Sequence, residues 1–359
     1  MNKLAKIKNV EMLRFLFTLV IVCCHLQHGV INKFYEQIPL YDKMHEALKY
    51  STLPVEFFFI ISGFFLFTTT NLTQTYPQFA KSKLIRLLPT VLVSLALYFI
   101  CSLFLDFEFL LKENIFTILN IQNVGLTFRN GNVPASWYVS SLFWGMSFYF
   151  YLNQCVNRKI FNLITACIIF FCYSFWLHTT GINYKNEAII FNLGMIRAFA
   201  GIGLGYFVSM WFKENISKIR EAIYNKFQVL ICSCFEIYLF CTLFYYSCMH
   251  KTNYNNKMVF VIYFVALFIL FLIKKGVLSR LLENNFSALL GNYSFAIFLT
   301  HQLIIKIWSV TICETQRDWI IANPVLNILI LFAIVILFGI TIHYIFEKPI
   351  TKFLKHKLL

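Results

Sequence analysis

Arg14 and His25 are the first residues in the chain able to do chemistry from within an apolar run. Eleven helical steps of about 100° bring both side chains to one face, roughly 16 Å apart along the axis. A fixed cation at one depth and a titratable base at another suit an anion and a proton transfer. Glu56 lies at a depth that matches His25 in the next apolar run. A carboxylate on one imidazole nitrogen would set the tautomer and raise the basicity of the other, so Glu56 is a candidate partner of His25. Lys83 and Arg86, at i and i+3, present two cations together, as phosphate recognition requires. His301 falls in the outer half of a later run, and Ser62-Gly63 falls near the middle of the second. Trp137-Tyr138 opens another run, and Arg197 sits among Gly194, Gly201, Gly203 and Gly205.

Each of these residues has a bland explanation. Arg14 can snorkel to an interface, and Lys83 and Arg86 can be ordinary topological charge. Trp137-Tyr138 can belong to an aromatic belt, and the glycines can serve helix packing. Sorting by depth favours the functional explanation. The cations Arg14, Lys83 and Arg86 fall on one side, and the proton-handling groups His25, Glu56 and His301 fall on the other. That layering suits an anionic donor reached from inside and an acceptor reached from outside.

The elements that must hold these groups follow from composition. Of 359 residues, 59% are hydrophobic and only 13% are charged, about half the roughly 25% of a soluble domain. A membrane helix needs roughly 20 apolar residues, so the chain is expected to be all-α and polytopic, with about ten transmembrane helices. Their expected limits are 10–31, 52–70, 84–105, 136–153, 159–178, 188–212, 228–248, 257–274, 286–309 and 323–345. A soluble enzyme, a disordered chain and a disulfide scaffold are excluded. With the N-terminus inside, 19 Lys and Arg fall in inner segments and 10 in outer ones. This bias places both termini in the cytoplasm and explains the net charge of +15 without nucleic acid. The eleven Cys lie mostly inside apolar runs without zinc-ligand spacing, so no metal is expected. The longest loop, 106–135, is too short for an independent core and contains the turn-rich Arg129–Asn132 stretch. The expected span 228–248 includes Glu236, a carboxylate with no partner evident in the sequence.

These residues together resemble the acyltransferase-3 family of integral-membrane acyltransferases. Arg14 and His25 match its Arg-x10-His signature, and 55–64 resembles its aromatic motif ending in Ser-Gly-Phe. The stretch 79–89 is similar to its basic segment, departing at Lys83, where Arg is usual. That change keeps the charge but replaces a planar fork with a point charge. Trp137-Tyr138, the Arg197 glycine segment, the run 291–301 and Glu347-Lys348-Pro349 follow in the family's order.

The resemblance implies a single transmembrane acyltransferase domain over 1–359, with no separate soluble domain. It implies a cytoplasmic acyl-CoA donor, often acetyl-CoA, held by Arg14, Lys83 and Arg86. The implied acceptor is a hydroxyl of a surface glycan or lipid-linked sugar at the outer face of the bacterial inner membrane. His25 is then the general base supported by Glu56, or the site of a covalent acyl intermediate. His301 shares the proton work or binds the acceptor, while Trp137, Tyr138, Ser62 and Arg197 contact substrate. A transporter or flippase of a glycan or lipid-linked sugar is the alternative class. A glycan polymerase fits less well, because the outer loops hold few Arg.

Overall fold

The computed structural model describes residues 7–48, 53–105, 107–126, 131–178, 187–188, 191–222, 224–248 and 254–358. α1 (Lys8–Leu26) continues through a π-helical turn (Gln27–Ile31) into α2 (Asn32–Phe34), and α3 (Pro39–Leu48) follows. Next come α4 (Val55–Thr69), α5 (Tyr76–Ser102), the short α6 (Leu111–Ile118), α7 (Ser136–Cys155) and α8 (Arg158–His178). A two-residue antiparallel pairing of β1 (Glu187–Ala188) with β2 (Phe191–Asn192) leads into α9 (Leu193–Glu221). The chain continues as α10 (Lys226–Cys248), α11 (Tyr254–Ile273), α12 (Val277–Leu281) and α13 (Asn285–Val310). It ends in α14 (Ile312–Thr315), α15 (Arg317–Ala322), α16 (Pro324–Ile342), a second π-helical turn (His343–Glu347) and α17 (Lys348–Leu358).

The chain is an all-α, membrane-type helical protein. Among the described residues, seven helical runs are long and apolar enough to cross a membrane. Helices also occupy the other three expected segments, but they are different in kind. α4 has 15 residues and Lys257–Ile273 is likewise short. At 1.5 Å per residue, α4 spans only about 22 Å of a hydrocarbon layer of about 30 Å. α7 has 20 residues but buries Ser136, Ser140, Ser141 and Ser147.

α4 packs on α9, and α1 packs on α13. The first contact depends on glycine. A Cβ at Gly63 would run into the carbonyl of Ile202, and one at Gly205 would run into the carbonyl of Ile60. Gly63 therefore permits close helix approach, and α4 passes through Ser62-Gly63 unbroken.

Two expectations about connecting segments change. The third apolar run is expected to begin at 84, but α5 already starts at Tyr76, so Lys83 lies on the helix with Arg86. Thr75 and Gln78 form a reciprocal capping box there, with Pro77 in the first turn. The longest loop, 106–135, is also not a free connection. Gln122 Nε2 donates to the Ser136 carbonyl at 2.8 Å, and Trp144 Nε1 donates to the Asn120 carbonyl at 2.8 Å. Asn192 Nδ2 donates to Asn123 Oδ1 at 2.9 Å. The loop thus folds into the bundle by satisfying buried polar groups. Arg129 and Asn130 lie outside the described residues. Glu236 also finds its partner: its Oε2 accepts the backbone N–H of Ser279 at 3.1 Å and so caps the start of α12.

Candidate functional site

α1 carries both halves of the site. Near its start, Arg14 faces a cavity of about 270 Å³. Lys83 and Arg86 enter this cavity from α5, and Ser62 enters from α4. Tyr138 enters from α7, with its hydroxyl beside Ser62. Gly291, Asn292, Ser294 and Phe298 of α13 close one wall. His343 and Glu347, from the second π-helical turn, complete the polar lining together with Glu11.

The charges in this cavity are only partly compensated. Arg14 Nη1 donates to Glu11 at 3.0 and 3.2 Å, and His343 Nδ1 lies 3.1 Å from Glu347 Oε2. Among the described residues Lys83 Nζ donates to the neutral Thr70 hydroxyl at 3.2 Å and sits 5.3 Å from the Phe79 ring centroid. Three cations therefore face one cavity beside two carboxylates. That donor set fits a polyanion such as a pyrophosphate or nucleotide phosphate. The helix at 76–102 places Lys83 and Arg86 on one face, as their spacing requires.

Further along α1, the ring of His25 stands 4.9 Å from that of His301, between centroids. His301 Nδ1 lies 3.1 Å from the Ile297 carbonyl, so Nδ1 carries a proton and donates. Its other nitrogen, Nε2, is buried with no hydrogen-bond partner among the described residues. His25 is approached by Gln302 Nε2 at 3.1 Å. The backbone N–H of Ala135 donates to Gln302 Oε1 at 3.1 Å, so the Gln302 amide group must donate toward His25. The π-helical turn starts two residues after His25, and such turns often occur at functional positions.

Aromatic rings connect the two halves. Phe58, Tyr138 and Phe298 line the cavity, and the Phe298 ring lies 6.1 Å from His301. Tyr138 is 5.3 Å from Phe298, and Phe58 is 6.3 Å from Phe298. The histidine pair thus stands directly behind the aromatic end of the cationic cavity.

The expected Glu56–His25 pair does not form. Glu56 is fully buried and forms an ion pair with Arg197, and the Tyr173 hydroxyl donates to it at 3.5 Å. The Arg197 guanidinium stacks over Trp137 at 5.7 Å and over Trp176 at 5.2 Å. Lys257 Nζ donates to the Trp176 carbonyl at 3.2 Å. The glycine-mediated approach of α4 to α9 brings Glu56 to Arg197, and their opposite charges settle the pairing. Glu56, Trp137 and Arg197 therefore form one buried cluster, and none of the three lines the cationic cavity. Sequence reasoning missed Gln302 and Glu11. The only signal for Gln302 was an amide next to His301, and the only one for Glu11 was its i, i+3 spacing to Arg14.

Fold and site together define a multi-pass helical membrane protein with a cationic cavity and a histidine pair along one helix. The acyltransferase domain family Acyl_transf_3 matches residues 7–344, nearly the whole chain. The chain belongs to that family and is a membrane acyltransferase. No curated protein and no solved structure matches it.

Proposed function

We propose that this membrane acyltransferase moves an acyl group, acetyl in the simplest case, from acyl-CoA in the cytoplasm to a hydroxyl group. The acceptor is a surface polysaccharide or lipid-linked sugar on the outer side of the bacterial inner membrane. The observation that carries this proposal is continuity along α1. Arg14 lies in a cavity with Lys83 and Arg86, and the aromatic end of that cavity abuts His301 beside His25. The excess of Lys and Arg in the segments on the N-terminal side supports cytoplasmic termini and donor entry at the Arg14 end.

Each residue then has a role. Arg14, Lys83 and Arg86 hold the donor phosphates. An extended pantetheine arm is about as long as the 16 Å between Arg14 and His25, so the thioester reaches the histidines while the nucleotide stays in the cavity. The acceptor hydroxyl displaces the Gln302 amide from the unprotonated nitrogen of His25, which takes its proton as the hydroxyl oxygen attacks the thioester carbonyl. The C–S bond breaks, and the proton passes to the departing thiolate. Gln302 orients His25 until the acceptor hydroxyl takes its place, and His301 supplies a second unprotonated nitrogen beside it.

The test uses the purified full chain in liposomes, with acyl-CoA supplied at one face and a sugar acceptor at the other. Expected is acceptor-dependent release of free thiol and an acyl mass added to the sugar. Movement of sugar across the membrane without donor consumption would make the protein a transporter instead. His25→Ala that folds normally and keeps full transfer would overturn the assignment of the base.

A further inference from the structure

A second recess lies at the end of the bundle where α1 begins. Asn9 Nδ2 ties α1 to this region, donating to the carbonyls of Phe271 at 2.8 Å and Ser279 at 3.0 Å. The recess is lined by Arg220, Glu221, Tyr224, Lys274, Lys275 and Arg280 and shares no residue with the Arg14 cavity. Its four cations are oriented and outnumber the two carboxylates near them, Glu221 and Glu283. Arg220 Nη2 donates to the Leu272 carbonyl at 2.8 Å, and Arg280 Nη2 donates to the Lys275 carbonyl. Lys275 Nζ donates to the Arg220 and Ala222 carbonyls at 2.8 Å each. Lys274 pairs with Glu283 at 2.8 Å, Glu283 also acts on Arg220, and Glu221 shares the lining.

The surface beside this recess is apolar. α10 exposes Phe227 by 68%, Leu230 by 57% and Ile231 by 53%, and α12 exposes Val277 by 54% and Leu281 by 65%. Val229, on the same turn of α10, lines the recess itself. A free phosphate would use the cations and leave that apolar surface bare. A phospholipid uses both.

We propose that this recess binds the phosphate headgroup of an anionic membrane lipid, with the acyl chains lying on the exposed faces of α10 and α12. Basic recesses between helices at a membrane boundary recognise such headgroups. The site is independent of the acyl-transfer chemistry.

Native mass spectrometry of the purified full chain, titrated with phosphatidylglycerol or phosphatidylcholine, tests it. Expected is one phosphatidylglycerol retained under conditions that strip phosphatidylcholine. Lys275→Gln with Arg280→Gln should weaken that first lipid by about fivefold per cation removed. Lys352→Gln with Lys355→Gln removes the same charge from the exposed α17 and should leave it bound. Lys275 and Arg280 also hold backbone carbonyls, so Arg280→Lys, which keeps the charge, must retain the lipid. Equal retention of both lipids, equal loss in both double variants, or displacement of the lipid by inorganic phosphate would each overturn the proposal.

Discussion

His25 and His301 come from opposite ends of the chain, yet their rings stand 4.9 Å apart. They meet because α1 packs along α13. Gly291 helps, since its missing Cβ leaves room for Glu11 on α1. One imidazole then receives the Gln302 amide, and the other keeps a bare Nε2. Neighbouring nitrogens of this kind can accept a proton without a carboxylate at either ring.

Under the proposed mechanism Gln302 is a positioning residue with a distinctive test. Gln302→Leu removes the donor to His25 and leaves the Ala135 N–H without its acceptor, costing about 1–3 kcal/mol. Turnover should fall about tenfold or more with the KM for donor unchanged. Gln302→Glu still accepts from Ala135 but places a negative charge beside His25. It favours the imidazolium, so the acid limb of the pH–rate profile should move to higher pH. A purely structural Gln302 would leave that limb in place.

The cavity cations should behave differently. Under the proposed function Arg86→Ala removes a charged contact to the anionic donor, worth about 1.5–3 kcal/mol, so KM for acyl-CoA should rise about tenfold to a hundredfold. Turnover at saturating donor should change little. Lys83→Arg should be tolerated or lower KM, because a planar fork binds phosphate with two parallel bonds. Steady-state kinetics with varied donor resolve both, and an unchanged KM in Arg86→Ala would remove phosphate binding from this cavity.

Glu56 separates a chemical role from a structural one. Glu56→Gln strands Arg197 as a buried charge without its carboxylate, at a cost of about 3–5 kcal/mol. The variant should lose folded yield and thermal midpoint in detergent. Glu56→Gln combined with Arg197→Gln should recover part of that loss, which a double-mutant cycle measures. Glu56→Gln that folds normally but has no turnover would return the carboxylate to the chemistry.

What was legible in the sequence depended on distance along the chain. The helical runs, the shared face of Arg14 and His25, and the i, i+3 spacing of Lys83 and Arg86 are local, and the structure keeps them. The Thr75–Gln78 capping box was equally local, and it explains why α5 starts earlier than the apolar run suggests. The partner of Glu56 was not legible. Matching depth is a weak guide, since several helices carry polar groups at one level. The pairing depends on which helices touch, and the glycines at 63 and 205 decide that by letting two backbones close together.

Those glycines yield a direct stability test. At Gly205 the Ile60 carbonyl occupies the space a Cβ would need, and at Gly63 the Ile202 carbonyl does. Backbone atoms cannot swing aside, so Gly205→Ala must separate α4 from α9. Overpacking of this kind costs about 1–3 kcal/mol. The thermal midpoint should fall, and the Glu56–Arg197 pair should loosen with it. Gly276→Ala meets only the Glu236 carboxylate, the end of a side chain, and should be milder.

The connection between α12 and α13 adds a pH dependence to stability. Burial pushes the Glu283 carboxyl up, but the Lys274 ammonium at 2.8 Å and the Asn9 backbone N–H at 3.0 Å outweigh it. The carboxyl is held below its usual value near 4.5. A carboxyl lowered in the folded state binds fewer protons there than in the unfolded chain. Its contribution is complete above the unfolded value and is lost as pH falls through the folded one. Glu283→Gln should therefore lower the thermal midpoint at pH 7, by an amount corresponding to about 1 kcal/mol for a partly exposed pair. The deficit relative to the native chain should shrink as the pH drops below about 4.5. Thermal scans of both proteins across that range measure it, and a deficit independent of pH would show that packing, not charge, holds α1 to this connection.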